Sequence, residues 1–419
     1  MTVREKAYRM LIDICIHKKY SHLVLKDGMK DFSNQDKALI STIVYGTLQN
    51  YRYLDYQWKV YCEKLVKKEI EILINMSVYQ LLFLDRIPAF AITNEAVEIS
   101  KKKYDGKFEK FVNAILRRVI KEGKRPLEGD EDEILAIETS FPLWMVKMWN
   151  KQYGKDVTRK LCFDALKTPN QTVRVNTIKT DKKALLKGRD TYIEGNLSPD
   201  ALIFKKGSVA ASEDFKYGYV SVQDEASQMV ARFLAPIETD VVLDMCSAPG
   251  SKTAHMAALM KNKGKIVALD IHEHRIELVK ATMRRLGCIC VDAKACDATK
   301  AREHYDAENF DKILIDAPCS GYGVLKRKSD IKYHMQSDDM DEIIKIQASL
   351  LQAAESLLKV DGTMVYSTCT MNKKENELQV QAFLKKNPNF ILDEEITIFP
   401  FTYNTDGFYM AKLKKISSL

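Results

Sequence analysis

The sequence predicts a three-part molecule: an all-α N-terminal domain over residues 1–128, a small α+β module over 129–235, and an α/β domain with a doubly wound, mostly parallel sheet over 236–419. Three observations carry that division. Apolar residues keep a helical period through roughly the first 125 residues. The stretch EGKRPLEGDEDE, residues 122–133, is polar, holds two Gly and one Pro and reverses the sign of the charge, as a linker does. From Asp240 onward short apolar runs alternate with helical segments, the pattern of a parallel sheet with crossover helices. Length agrees, since 419 residues suit two or three domains of ~150 residues each.

In the first part Val3, Ala7, Met10, Leu11 and Ile14 share one helix face, and the same period recurs over 38–48, over 70–84 and through Phe108, Phe111, Val112, Ile115 and Val119. Thr93, followed by Glu95 and Glu98, is expected to cap a helix that opens after Pro88. The middle module is expected to hold helices at 142–152 and 156–166, a strand at 172–176 and a helix at 181–187. The last part reads VVLDM, a helix from Ser251, KIVALDI, a helix to Leu286, ICVDA, KILIDA, a long helix over 338–358 and TMVYSTC.

Composition excludes several classes. With 46% hydrophobic and 29% charged residues, 17 Gly and 10 Pro, the chain is neither disordered nor collagen-like. No apolar run approaches the ~20 residues of a membrane-spanning helix, and charges interrupt the opening residues, so a cytoplasmic monomer without a membrane partner is expected. Nine cysteines with no C-x-x-C pair point to reduced thiols, and Cys288, Cys290 and Cys296 read as a strand face and its turn, so no metal is expected. The net charge of +8 is concentrated: residues 1–130 carry 24 Lys+Arg against 17 Asp+Glu, and 101–125 alone carry ten basic and three acidic residues. Such a patch serves phosphate backbones through counterion release, although a lone lysine run is equally a solvated helix face.

In a doubly wound sheet ligands bind beyond the carboxyl ends of the strands. After the first strand comes DMCSAPGSKT, Asp244 to Thr253. Pro249 and Gly250 turn the chain there, Gly250 is expected to omit a side chain where a ligand edge approaches, and a helix beginning near Ser251 presents free N–H groups. The turn is neither G-x-G-x-x-G nor a Walker loop, which turns the reading away from nicotinamide dinucleotides and nucleoside triphosphates. Asp270 ends the second strand 26 residues after Asp244, where an acidic side chain accepts from ribose hydroxyls; alone it is equally a strand-end carboxylate. Asp297 suits an adenine amine by similar logic, with Asp292 as a rival.

The fourth strand ends in DAPCSGYG, Asp316 to Gly323, and the fifth in STCT, Ser367 to Thr370. Two cysteines, Cys319 and Cys369, therefore stand at the tips of neighbouring strands beside the carboxylate of Asp316. A single strand-end cysteine is usually a small buried hydrophobe, but two at the functional edge invite a nucleophilic reading. Carbon 5 of a pyrimidine is a poor nucleophile until a thiolate adds to carbon 6; it then becomes an enamine carbon able to accept a methyl group, and loss of its proton frees the thiolate.

DMCSAPGSKT, VALD, DAPCSG and YSTCT resemble the motifs of the RNA cytosine-5 methyltransferases of the Sun/Nol1/NOP2 family. SFPLWMVKMWNKQYG, RVNT and SVQDEASQ resemble that family's pre-domain, and NEAVEISKKKY with FVNAILRRV resembles the helical NusB fold, so the resemblance spans essentially the whole chain. It implies an all-α NusB-like RNA-binding domain, an α+β pre-domain and a Rossmann-like, S-adenosyl-L-methionine-dependent methyltransferase domain. The implied activity is methylation of carbon 5 of a cytosine in small-subunit (16S) ribosomal RNA, free or within an assembling subunit.

The resemblance implies that the STC cysteine, Cys369, is the nucleophile and that Cys319 assists proton removal or product release. It implies that Asp316 holds the exocyclic amine and ring nitrogen of cytosine. The cofactor would touch Cys246, Ser247, Ala248, Pro249, Gly250, Ser251, Lys252 and Asp316, with Asp270 and Asp297 on its ribose and adenine. Ser251 departs from the family's usual glycine. Lys252 reads either as neutralising a ligand carboxylate or phosphate or as an exposed lysine in a first helical turn, where the dipole disfavours it. A free thiol with pKa ~8.5 needs help to ionise, and Lys373 and Lys374 are candidates for that help or plain solvated residues. Three rivals remain: a non-catalytic NusB-like RNA-binding or antitermination protein, which needs none of these residues; a methyltransferase of another RNA; and a DNA cytosine-5 methyltransferase, which would use Cys319 as nucleophile.

Overall fold

Capping chemistry sets the first helices. The Thr2 hydroxyl accepts the Glu5 N–H at 3.2 Å and opens α1 (Val3–Cys15). After α2 (Ser21–Gly28), the Ser33 hydroxyl accepts the Asp36 N–H and opens α3 (Asn34–Gln49). Next come α4 (Tyr51–Lys59), α5 (Lys68–Phe83), α6 (Ala89–Tyr104) and α7 (Glu109–Glu122). A reciprocal capping box between Asp130 and Glu133 starts α8 (Glu131–Glu138), followed by α9 (Leu143–Tyr153) and α10 (Lys155–Asp164). Residues Ile70 to Gln80 of α5 are buried without a break, so this helix is the axis on which α1, α3, α4, α6 and α7 pack. These are residues of a computed structural model that describes positions 1–188, 190–334 and 337–418, with the side chains at 334 and 337–339 left out; the expected terminus Leu419 lies outside the described residues.

Two expectations change. The start of α6 is set by Pro88, whose φ of −62° suits helix entry; Thr93 lies a turn inside, its hydroxyl donating to Ala89 O at 2.9 Å, so it is not a cap. The polar stretch 122–133 does not bound a compact unit. Gln49 Nε2 donates to Ala165 O at 2.9 Å, the Tyr53 N–H donates to Ser140 Oγ at 3.0 Å, and α8 packs on α4. One compact unit therefore runs from Met1 to Lys167 and also takes in Leu325–His334; the other holds Thr168–Val324 and the chain after His334.

The second unit contains two sheets. In the smaller, β1 (Thr172–Val175), β2 (Tyr192–Glu194), β3 (Ala201–Phe204) and β4 (Val220–Val222) pair antiparallel in the order β2-β3-β1-β4, accompanied by α11 (Lys182–Leu186), α12 (Glu213–Lys216) and then α13 (Glu225–Leu234). The larger is built from β5 (Val241–Asp244), α14 (Ser251–Leu259), β6 (Lys265–Asp270), α15 (Glu273–Leu286), β7 (Val291–Ala295) and β8 (Phe310–Asp316). After α16 (Ile331–His334), which belongs to the helical unit, it is completed by α17 (Ser337–Leu357), β9 (Leu358–Thr368), α18 (Glu377–Lys386), β10 (Phe390–Ile398), α19 (Pro400–Tyr403) and β11 (Phe408–Lys415). Its order is β10-β11-β9-β8-β5-β6-β7, parallel except for the β9–β11 and β11–β10 pairs. The chain runs from β5 outward through β6 to β7 and then returns to β8 on the other side of β5, so the switch point lies between β5 and β8.

Residues of RVNT and SVQDEASQ join the two sheets. Arg174 is fully buried and donates from Nε to Gln223 Oε1 at 2.8 Å, while Asn176 Nδ2 donates to Gly218 O and Leu286 O, both at 2.8 Å. The Glu225 carboxylate accepts three successive backbone N–H groups, from Asn196, Leu197 and Ser198. Arg232 of α13 grips Asp200 with two bonds of 2.6 and 2.7 Å, and His255 of α14 meets the same carboxylate through Nε2 at 2.9 Å.

Burial pushes the His255 imidazole down to about 4, with the Arg174 charge adding to the effect, so it is neutral at pH 7. Between its ordinary value of 6.5 and 4, the unfolded chain binds more protons than the folded one. Its contribution to stability is full above pH 6.5 and is lost as pH falls toward 4. His255→Gln, which never charges, is expected to flatten the fall of thermal stability across that window; the wild-type loss attributable to this residue is roughly 3 kcal/mol. Melting curves from pH 7 to 4 for both proteins check this, and parallel curves would refute it.

Candidate active site

The turn after β5 is shaped by its own backbone and by α15. The Ser247 N–H donates to Leu269 O at 2.8 Å and the Gly250 N–H to Ser247 O at 2.7 Å, folding residues 245–250 back over the sheet edge. Gly250 has φ +99°, and a Cβ there would come within 3.1 to 3.4 Å of Met283, Val279 and Thr282. The left-handed φ and the close packing of α15 both favour glycine here. Gly250 occupies the N-cap of α14 and Ser251, half-buried, its first position, so Ser251 does not cap the helix.

Asp244, at the end of β5, is buried; Thr253 Oγ1 donates to Oδ2 at 2.7 Å, and Oδ1 has no well-formed hydrogen bond. Burial pushes this carboxyl up to about 7, with the Asp316 charge adding to the rise. Ser247 Oγ is likewise buried without a partner. Two unsatisfied polar atoms in one strand-end turn are positions that a bound ligand would complete. Burial pushes the Cys246 thiol well up, which disfavours its thiolate.

Asp270 ends β6 as expected, buried, with Oδ1 accepting the His272 N–H at 3.2 Å and Oδ2 paired with Arg275 Nη1 at 3.2 Å. Arg275, on α15, also reaches Ala248 O at 3.4 Å and so links the first two strand ends; the sequence reading missed it. Asp297 follows the end of β7 and accepts the Thr299 N–H and hydroxyl at 3.0 and 2.7 Å. Asp292 is the second residue of β7, opposite Val267 and paired with Lys294 at 2.8 Å, which sets it back from the edge where Asp270 stands.

Cys319 and Cys369 are brought together, with their sulfurs 3.4 Å apart. Parallel pairing of β8 and β9 places Asp316 opposite Ser367, whose hydroxyl donates to Asp316 Oδ1 at 3.0 Å. Lys252 Nζ donates to Asp316 Oδ2 at 2.7 Å, and the lysine side chain is only 12% exposed, so it is not a surface lysine. Burial works to lower the Lys252 ammonium, but Asp316, Cys369 and Asp244 together hold it above its ordinary value. Lys252, from a helix distant in sequence, is thus a cation that interacts with Cys369. The hydrogen bond with Cys369, burial and the nearby Glu375 charge push the Cys319 thiol well up.

Beyond the cysteines lies a buried polar network that the sequence reading missed. Ser320 Oγ is 2.7 Å from Thr370 Oγ1, Asn376 Nδ2 donates to Thr370 O at 2.9 Å, and Gln347 Nε2 donates to Pro318 O at 2.9 Å. Gly323 packs so closely on Gly407 that a Cβ would lie 2.1 Å from Gly407 O, and its N–H donates to Cys369 O at 2.9 Å. In the helical unit Lys101, Lys102, Lys103, Lys107, Lys110, Arg117, Arg118, Lys121 and Lys124 are exposed, while Arg125 is half-buried over the Tyr56 ring at 4.2 Å.

A family model described as 16S rRNA methyltransferase RsmB/F matches residues 231–414, the NusB family matches 1–121, and the ferredoxin-like domain of RsmF/B-like methyltransferases matches 141–208. The chain is 40% identical to the probable ribosomal RNA small subunit methyltransferase B of Bacillus subtilis (strain 168), covering 99% of each chain. It is 30% identical to ribosomal RNA small subunit methyltransferase B of Shewanella oneidensis, again over 99% of each. The crystal structure of PH0851 has the same fold, with a TM-score of 0.83 at 24% identity, covering 98% of this chain and 99% of that one.

Two thiols 3.4 Å apart need only a small approach to reach the ~2.05 Å of a disulfide. Mild oxidation with diamide is expected to join Cys319 to Cys369, removing two hydrogens, and dithiothreitol to reverse it. Peptide mapping checks this; crosslinks elsewhere with this pair left reduced would contradict the geometry.

Proposed function

The chain belongs to the ribosomal RNA small subunit methyltransferase B family, and from that membership we propose that it methylates carbon 5 of one cytosine in 16S ribosomal RNA through a transient bond from Cys369 Sγ to carbon 6. The observation that carries this reading is the 3.4 Å contact of the two strand-end cysteines beside the Lys252–Asp316 pair. S-adenosylmethionine, the family's cofactor, supplies an electrophilic methyl group when bound. The residues fit it: Cys246 through Lys252 form a turn with unsatisfied polar atoms at Ser247 and Asp244, and Asp270 and Asp297 stand at the next two strand ends for ribose and adenine.

Cys369 is the nucleophile in this reading. Lys252 favours its thiolate, which adds to carbon 6 and places electron density on carbon 5. After methylation the carbon 5 proton passes to a solvent water acting as base, its bonding pair re-forms the carbon 5–carbon 6 double bond, and the Sγ–carbon 6 bond breaks with its electron pair going to Sγ. Cys319, held as a thiol, assists that departure by donating its S–H to the leaving sulfur. Asp316 keeps lone pairs free beyond those used by Lys252 and Ser367 and accepts from the exocyclic amine of cytosine, a donor uracil lacks. In this reading, the expected sequence segments 1–128 and 129–235 grip phosphates, the former through its exposed basic surface, and segment 236–419 carries the chemistry, although segments 1–128 and 129–235 are not separate compact units. The target base must leave its stack, at a cost of a few kcal/mol that is least in a loop.

The test is transfer of labelled methyl to unmethylated small-subunit ribosomal RNA, free and in assembly intermediates, followed by mapping of 5-methylcytosine. Cys369→Ala is expected to lose at least ~10³-fold in kcat with RNA binding kept, and Cys319→Ala to accumulate a covalent protein–RNA adduct. Turnover that survives loss of Cys369 but needs Cys319 would replace this reading with the DNA-type mechanism. Indifference to both substitutions would leave a binding protein.

A further inference from the structure

One buried carboxylate touches both cysteine loops without touching the reacting atoms. Glu375 is fully buried between β9 and α18. Its Oε2 accepts the Ser320 N–H at 2.8 Å and Gln347 Nε2 at 3.2 Å; its Oε1 accepts Ser320 Oγ at 2.5 Å and Asn372 Nδ2 at 2.9 Å. Ser320 follows Cys319, and its hydroxyl also meets that of Thr370, which follows Cys369. All four donors are neutral. Neutral donors do not cancel a buried charge, and a carboxylate kept in such a place costs free energy that a hydrogen-bonded neutral group would not.

The charge has a use in the pair beside it. Glu375 bears on Cys319, whereas the Lys252 ammonium bears on Cys369, so charges of opposite sign act on the two sulfurs. Asp316 is committed to Lys252, and Tyr366 on β9, whose hydroxyl donates to Glu375 O at 2.7 Å, stays neutral because burial holds its pKa far above the ordinary value. We propose that Glu375 is the positioning residue of the two-cysteine site: it ties the Cys319 loop to the Cys369 loop and keeps the proton of the pair on Cys319, leaving Cys369 as the nucleophile. The inference rests on the two-cysteine reading given above.

The test is Glu375→Gln in the full chain, with alkylation of each cysteine by iodoacetamide followed against pH by peptide mass spectrometry. Cys319 is expected to alkylate at lower pH than in the wild type and Cys369 at higher pH, while kcat for methyl transfer falls on the order of 100-fold and S-adenosylmethionine binding persists. Wild-type alkylation profiles would overturn the proposal. Glu375→Asp keeps the charge on a shorter arm: it is expected to hold the Cys319 profile near wild type and still lose kcat. Wild-type kcat in Glu375→Asp would overturn the positioning role, and this variant decides the matter should Glu375→Gln fail to bind cofactor. Alkylation needs no RNA, so a chain acting on another target would fail in transfer yet still show the shift.

Discussion

Parallel pairing of β8 with β9 is the constraint on which the rest of the site depends. Its register sets Asp316 opposite Ser367, and the Ala317 N–H donates to Ser367 O at 2.9 Å just past the strand end. Three residues beyond Asp316 and two beyond Ser367, the chains turn at Cys319 and Cys369. A slip of one residue would invert every side chain of one strand and part the sulfurs. Apolar residues on both faces of these strands hold the register, with Ile313, Leu314, Ile315, Met364, Val365 and Tyr366 all fully buried.

A site built at a buried strand edge must hold charges away from water, and different means serve in different places. Lys252 with Asp316 and Arg232 with Asp200 are close, hydrogen-bonded pairs whose attraction offsets desolvation. Glu225 is held by a run of backbone N–H groups and Glu375 by side-chain dipoles. Asp244 and His255 take another course, moving toward their neutral forms.

The strands that end at the candidate site were legible because each is a continuous apolar run ending in a polar turn, and Cys319, Cys369, Asp316 and Asp270 stand at or just beyond the ends of such runs. The edge strand β10 was not legible, since six consecutive exposed residues in FILDEEITI leave no apolar face to detect. Thr93 resembled a cap because local sequence shows a hydroxyl before acids but not where Pro88 starts the helix. Lys252 and Asp316 lie 64 residues apart, and only the fold shows that they meet. The packing of Gly250 against α15 is likewise a tertiary fact that local sequence does not show. Glu375 sits in KKENELQV, which reads as a charged helix start, and nothing local marks its carboxylate as buried.

The helical unit is not a module that ends where its sequence family ends. Residues Leu325–His334, which follow the Cys319 loop, belong to it. Lys326 pairs with Asp164 at 2.8 Å, both almost wholly buried, and the Asp330 carboxylate accepts the Ser21 hydroxyl at 2.9 Å at the start of α2. The Tyr333 hydroxyl donates to Leu48 O at 2.9 Å. Lys332, pushed down to about 7 by burial, donates to Thr139 O and lies 4.0 Å from the Phe141 ring centroid. A chain cut after the polar stretch at 122–133 would lose Asp164 and this segment together, leaving Ser21 and Leu48 without their partners. The folding of the helical unit therefore depends on residues that follow the Cys319 loop in sequence.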